Sequence, residues 1–238
     1  MKPKTLLSLA LLGPLFLGLP ASAEDAPKKD EKVIPQTLAE LEAEILKVME
    51  KTKTPGLAVT LVSREGELWT AGLGLADVAI KRAATAETPF RIGSITKSLV
   101  SLAALMLIEE GKLALNDRLA SRAPEVWFDN PWEETDPVRL VHLLEHTAGF
   151  DDIRLREYAL LDPDIPLKEA LDYYPVSRVS RWRPGTRFSY CNSGPSIVAY
   201  VIAKITGLTF EDFVAERLFQ PLGMETATFF LDPTRRGP

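Results

Sequence analysis

The chain has 238 residues, 46% of them hydrophobic and 26% charged, which is ordinary globular usage and excludes collagen-like, disordered and polytopic membrane proteins. Lys and Arg number 28 against 33 for Asp and Glu, a formal charge of −5, with no basic stripe interleaved with aromatics, so nucleic acid is not an expected partner. One cysteine, Cys191, and two histidines, His142 and His146, exclude an internal disulfide framework, a Cys-based metal cluster and a His-rich zinc site.

Lys2 and Lys4 precede an apolar run from Leu6 to Leu19, then Pro20 and Ala21-Ser22-Ala23. A basic start, a short apolar stretch and a small-residue site predict a secretory signal peptide over residues 1–23, cleaved after Ala23. The run is too short for a comfortable membrane span, so a secreted or periplasmic protein with no stable membrane span is expected. Residues 24–35, charged and Pro-containing, read as a flexible lead-in to a domain over 36–238.

Thr37-Leu38-Ala39-Glu40 forms a capping box, and Leu38, Leu41, Ile45, Val48 and Met49 follow at helical spacing to about Lys51, with Pro55-Gly56 ending the helix. Leu57 to Ser63 and Leu68 to Gly74 read as strands joined at Glu65-Gly66, a hairpin. Ile95, Leu99, Leu102, Leu105 and Met106 mark a buried helix closed by Gly111. Asp136-Pro137 predicts an N-cap and N1 proline for a helix holding Leu140, Leu143 and Leu144. Pro184-Gly185 is a turn before Phe188 to Asn192. Ile197 to Ile205 is helical up to Gly207, and Thr209 caps a helix with Phe210, Phe213, Val214 and Leu218, ended by Pro221. Two strands cannot make a stable sheet alone, so either the helices cover the hairpin or sheet strands lie outside this sequence.

Chemistry first shows at Ser94-Ile95-Thr96-Lys97. A serine at a helix start lies near free backbone amides and the positive end of the dipole. Lys97, three residues on, lies one turn along the same face, within reach of the hydroxyl. Serine needs a neighbouring base to become nucleophilic, and this spacing makes a candidate Ser–Lys pair.

The segment Phe90-Arg91-Ile92-Gly93-Ser94-Ile95-Thr96-Lys97-Ser98 resembles the nucleophile segment of the serine β-lactamase and penicillin-binding protein superfamily. Leu107 to Asp117, Leu143-Leu144-Glu145-His146-Thr147-Ala148-Gly149, Pro184 to Gly194 and Pro221-Leu222-Gly223-Met224 are similar to later segments of the same family, in the same order. The nearest branch is the class C β-lactamase-like group, which includes D-aminopeptidases, carboxypeptidases and esterases, and the resemblance runs over about residues 36–232.

That resemblance implies an α+β fold of β-lactamase/transpeptidase type, with a helical block packed on an antiparallel sheet of which this sequence holds only the first hairpin. It implies a serine hydrolase with a covalent acyl-enzyme on a β-lactam, D-amino-acid peptide or small ester, with no cofactor and no metal. A non-catalytic penicillin-recognising or peptide-binding module of the same fold is the alternative. By position, Ser94 is the acyl-accepting nucleophile and Lys97 its activating partner. Tyr190 and Asn192 form the Tyr-x-Asn motif: Tyr190 takes the serine proton or protonates the leaving group, and Asn192 binds Lys97 and the substrate amide. His146 belongs to a structural element beneath the site, and Cys191 is a small buried hydrophobe. Pro195 and Ala148 depart mildly from the pattern. The third motif, Lys/His-Thr/Ser-Gly, has no match after Asn192: Lys204-Ile205-Thr206-Gly207 has one residue too many and falls at a helix end. The sequence therefore reads as an N-terminal part of a longer hydrolase, which would leave it without full activity.

Overall fold

A computed structural model describes residues 34–155 and 165–230; the expected signal peptide, most of the lead-in and the chain's last residues lie outside them. The chain divides into two compact units, one holding residues up to Val59 together with Gly72–Ala84, the other Thr60–Ala71 together with Thr85 onward.

The first unit opens with helix α1, Leu38–Thr52. Thr37 Oγ1 accepts the Glu40 N–H at 3.2 Å, and the Glu40 carboxylate reaches back to the Gln36 N–H at 2.7 Å, which is the expected capping box moved one residue outward. Lys53, left-handed at φ 56°, ends the helix before the proline does. Of the apolar stripe only Met49 is buried; Leu38 and Val48 are exposed. Strands β1 (Gly56–Ser63), β2 (Gly66–Asp77) and β3 (Arg82–Ala83) make one sheet in the order β1-β2-β3. The expected hairpin is therefore a three-stranded sheet. Its third strand, two residues long, is too short to show a period; Asp77 Oδ1 creates it by accepting the Ala79 and Ile80 N–H groups, which folds the chain back so that Leu75 pairs with Ala83.

The second unit holds the main core and every candidate site residue. A 3₁₀ turn, Gly93–Ile95, leads into α2, Thr96–Glu109. The buried face of α2 is not the expected one: Val100, Ala103, Ala104 and Leu107 enter the core, whereas Ile95, Leu102 and Leu105 are exposed. The helix is apolar on nearly every side, so spacing alone cannot choose its inner face. After short helix α3 (Leu119–Arg122), helices α4 (Leu140–Leu144) and α5 (Leu167–Asp172) pack with α2 against α6, Ser193–Thr206, whose Ile197, Val198, Val201 and Ile202 are fully buried.

Asp136 does not cap α4. That helix starts at Leu140, because Arg139 is extended and bridges to Arg118, and the Asp136 backbone carbonyl instead accepts the Asn130 amide at 2.9 Å. Helix α6 begins four residues earlier than its apolar run, directly after Asn192, with Pro195 tolerated in the first turn where no backbone donor is needed. Thr209 caps α7, Phe210–Val214, as expected, through the Asp212 N–H at 3.0 Å, and a π-helical turn over Ala215–Phe219 carries the chain to Pro221.

Gly194 explains how α6 lies so close to α4: a Cβ there would sit 2.8 Å from the Leu143 carbonyl oxygen, a backbone atom that cannot swing aside. Gly194→Ala is expected to cost about 1–3 kcal/mol of stability through this overpacking. A urea midpoint equal to that of the parent would contradict it.

Candidate active site

Three backbone segments assemble the site: the turn into α2, the chain after α4, and the chain entering α6. After α4 the backbone turns sharply, with Thr147 and Ala148 both donating to the His142 carbonyl at 2.8 and 3.1 Å and His146 left-handed at φ 59°. Gly149 is also left-handed, at φ 83°, and an added Cβ would meet the Trp182 carbonyl at 2.9 Å. The His146–Asp152 segment is laced to residues 177–192. Ser189 donates to the His146 carbonyl at 2.8 Å and Gly185 to that of Thr147 at 2.9 Å, while Asp151 donates to Ser177 at 2.9 Å. The Arg181 guanidinium adds bonds to the carbonyls of Gly149 and Phe150. This lacing carries Tyr190 and Asn192 to the start of α2.

There the four expected residues meet. Ser94 Oγ lies 2.6 Å from Tyr190 Oη, and Lys97 Nζ donates to Ser94 Oγ at 3.1 Å and to Asn192 Oδ1 at 2.6 Å. Lys97 Nζ also stands 5.0 Å from the centre of the Tyr190 ring. The Lys97 hydrogen bond, helped by that of Ser94, holds the Tyr190 phenol below the ordinary tyrosine range, because both favour the phenolate. With one hydroxyl touching both a phenol and an ammonium, the cluster can remove a proton from Ser94 and hold it for a leaving group.

His146 packs against Tyr190, ring centres 4.5 Å apart, and its Nδ1 accepts the Cys191 N–H at 3.3 Å. Burial and the Lys97 charge push its pKa down, so the imidazole stays neutral near pH 7, as an accepting Nδ1 requires. It touches Tyr190 by its ring and not Ser94. Cys191 is buried, and burial raises its thiol pKa. Lys204, at the end of α6, is bound to both Glu125 oxygens at 2.8 Å.

One residue of the cluster was not visible in the sequence. Asp152 accepts the Asn192 backbone N–H at 2.9 Å and its side-chain Nδ2 at 2.9 and 3.2 Å. The only local cue is a pair of acids, Asp151-Asp152, after Gly149-Phe150. In extended chain such neighbours point to opposite sides. Asp151 faces Arg154 and Arg181, and Asp152 faces the site.

A helical block carrying a Ser94–Lys97 turn against a Tyr190-x-Asn192 segment is the architecture of the serine β-lactamase and penicillin-binding protein superfamily. The Beta-lactamase family model matches residues 40–237, and the chain belongs to that family. It is 30% identical over 179 residues to a β-lactamase of Yersinia enterocolitica, covering 75% of this chain and 43% of the relative. It is 29% identical over 204 residues to a D-aminopeptidase of Brucella anthropi, covering 82% of this chain and 36% of the relative. Among solved structures, an octameric penicillin-binding protein homologue from Pyrococcus abyssi aligns at TM-score 0.69 and 28% identity, over 78% of this chain and 43% of the other. The chain thus spans less than half the length of each of these relatives.

Proposed function

We propose that the protein is an exported serine hydrolase that acts through a covalent acyl-enzyme on an amide or ester: a β-lactam, a D-amino-acid peptide or a small ester. The observation that carries this reading is the Ser94 hydroxyl held between Lys97 Nζ and Tyr190 Oη at 3.1 and 2.6 Å. Lys97 donates to Ser94, so the serine's own proton is free to point at Tyr190. In the forward step Tyr190 enters as the phenolate; Ser94 Oγ bonds to the substrate carbonyl carbon and its proton passes to Tyr190 Oη, which becomes the neutral phenol. As the tetrahedral adduct collapses, the bond to the leaving nitrogen or oxygen breaks and Tyr190 returns the proton to it. Water then enters by the reverse path and releases the acid. Lys97 stays charged and steadies the phenolate and the developing oxyanion electrostatically. Asn192 holds Lys97 and meets the substrate's acyl amide.

Export rests on residues 1–23. None of the described helices is long and apolar enough to cross a membrane.

The test is to treat the protein with a fluorescent penicillin and a fluorophosphonate, then follow hydrolysis of an activated ester. Labelling at Ser94 with turnover is the expected result. Labelling without turnover would favour an acyl-accepting sensor, and a protein that neither probe marks is no serine hydrolase.

A further inference from the structure

Asp152 lies outside the set of groups that hydrogen-bond Ser94, yet its carboxylate accepts four hydrogen bonds beside the site. Its Oδ1 accepts from Ile153 N at 2.8 Å, from Asn192 N at 2.9 Å and from Asn192 Nδ2 at 2.9 Å; Oδ2 takes Nδ2 again at 3.2 Å. An ionised carboxylate can only accept, and a lysine ammonium can only donate. A carboxamide between the two has one orientation that satisfies both, nitrogen to Asp152 and oxygen to Lys97. That is the orientation here, with Asn192 Oδ1 2.6 Å from Lys97 Nζ.

We propose that Asp152 is the positioning residue of this site: it fixes the Asn192 carboxamide oxygen toward Lys97, and so holds Lys97 Nζ on Ser94. Its effect on rate rests on the reading of Ser94 as acyl acceptor; its effect on Lys97 does not. Two consequences follow from the chemistry of the pair. In Asp152→Asn, the residue's oxygen still serves the two backbone N–H groups and the 2.9 Å bond from Asn192 Nδ2, but its new NH₂ faces that same Nδ2 across the 3.2 Å contact, donor against donor. Asn192 relieves that contact by shifting away from residue 152, which draws its oxygen off Lys97. In Asn192→Asp, two carboxylates face each other. The exchange Asp152→Asn with Asn192→Asp removes both conflicts, because the amide now donates to the carboxylate while that carboxylate still accepts from Lys97.

The experiment uses both single variants and the exchange, with two readouts. The first is the rate of fluorophosphonate labelling. The second is the alkaline titration of Tyr190, followed by tyrosinate absorbance and isolated from the chain's 5 tyrosines by subtracting Tyr190→Phe. Lys97, Ser94, Asp152 and the His146 ring are the groups that face Tyr190, and Lys97 contributes most to its lowered pKa. A misplaced Lys97 moves the titration up toward the ordinary tyrosine range; loss of the Asp152 charge, which itself raises the Tyr190 pKa, acts the other way but is the smallest of the causes, so the net movement is upward. Asp152→Asn is expected to slow labelling about a hundredfold, the usual cost of a misplacement near 1 Å, and to raise the Tyr190 titration; the exchange is expected to restore both. Unchanged labelling and titration in Asp152→Asn would overturn the proposal, as would an exchange no better than the worse single variant. Should Asp152→Asn fail to fold, Asn192→Asp against the exchange carries the same comparison. If the parent protein is not labelled but the titration moves and is restored, the acyl-enzyme reading fails and the positioning role stands.

Discussion

Ser94→Ala is expected to abolish covalent labelling by a fluorophosphonate or activated ester and to lower ester turnover by about 10⁴–10⁶-fold, the loss seen when the nucleophile of a concerted group is removed. The hydroxyl is the only atom of the cluster that Lys97 and Tyr190 both reach, at 3.1 and 2.6 Å. Removing it takes away the bond-forming oxygen and leaves the other two without a common partner. Ser94 belongs to a 3₁₀ turn and contributes nothing to the buried core, so the variant should melt with the parent. Mass spectrometry of the labelled protein gives the decisive reading. An adduct of unchanged stoichiometry in Ser94→Ala would put the nucleophile elsewhere, and the other serines within the site segments, Ser98, Ser189 and Ser193, would then need separate substitution.

What the sequence made legible was what lies close along the chain. Ser94 and Lys97 meet because three residues of helical backbone separate them, and Thr37 and Thr209 cap helices by bonds to the third residue on. Tyr190 and Asn192, nearly a hundred residues from Ser94, carry no local sign of partnership; they were reached through the resemblance of several ordered segments. Asp152 escaped even that, since nothing in a pair of adjacent acids tells which one turns inward until residues 146–152 are laced to 177–192. The apolar run of α6 marks it as a helix up to Gly207, whereas the inner face of α2 is not legible, because apolar residues on nearly all sides leave that face to be chosen by neighbours distant in sequence. The early start of α6 was hidden by Ser193-Gly194-Pro195, residues that as a string spell a turn. Here Asn192 is held at the helix entrance by Asp152, and Gly194 permits the close approach to α4.

The second large effect concerns the proton path. Lys97→Ala and Tyr190→Phe are each expected to lower the rate of acylation by several orders of magnitude while leaving a cooperative melt, because groups that act as a unit lose most of the rate when any one is removed. Their effects should not multiply. Tyr190 works as a base only while Lys97 holds its phenol pKa down, and Lys97 assists mainly by steadying the phenolate charge that Tyr190 carries before it takes the serine proton. The double variant should therefore be close to the worse single one, and a fully multiplicative loss would mean that the two act independently. The pH profile separates the roles further. A base must be deprotonated, so in the parent the acylation rate rises with pH through the lowered Tyr190 pKa and levels off above it. In Lys97→Ala the largest cause of that lowering is gone, and the residual rise should move to higher pH. In Tyr190→Phe the rise itself should disappear, leaving a low rate without that alkaline limb. A Tyr190→Phe variant that keeps the limb would assign the titrating base to another group, and Lys97, the only other ionisable side chain in contact with Ser94 Oγ among the described residues, would take that role.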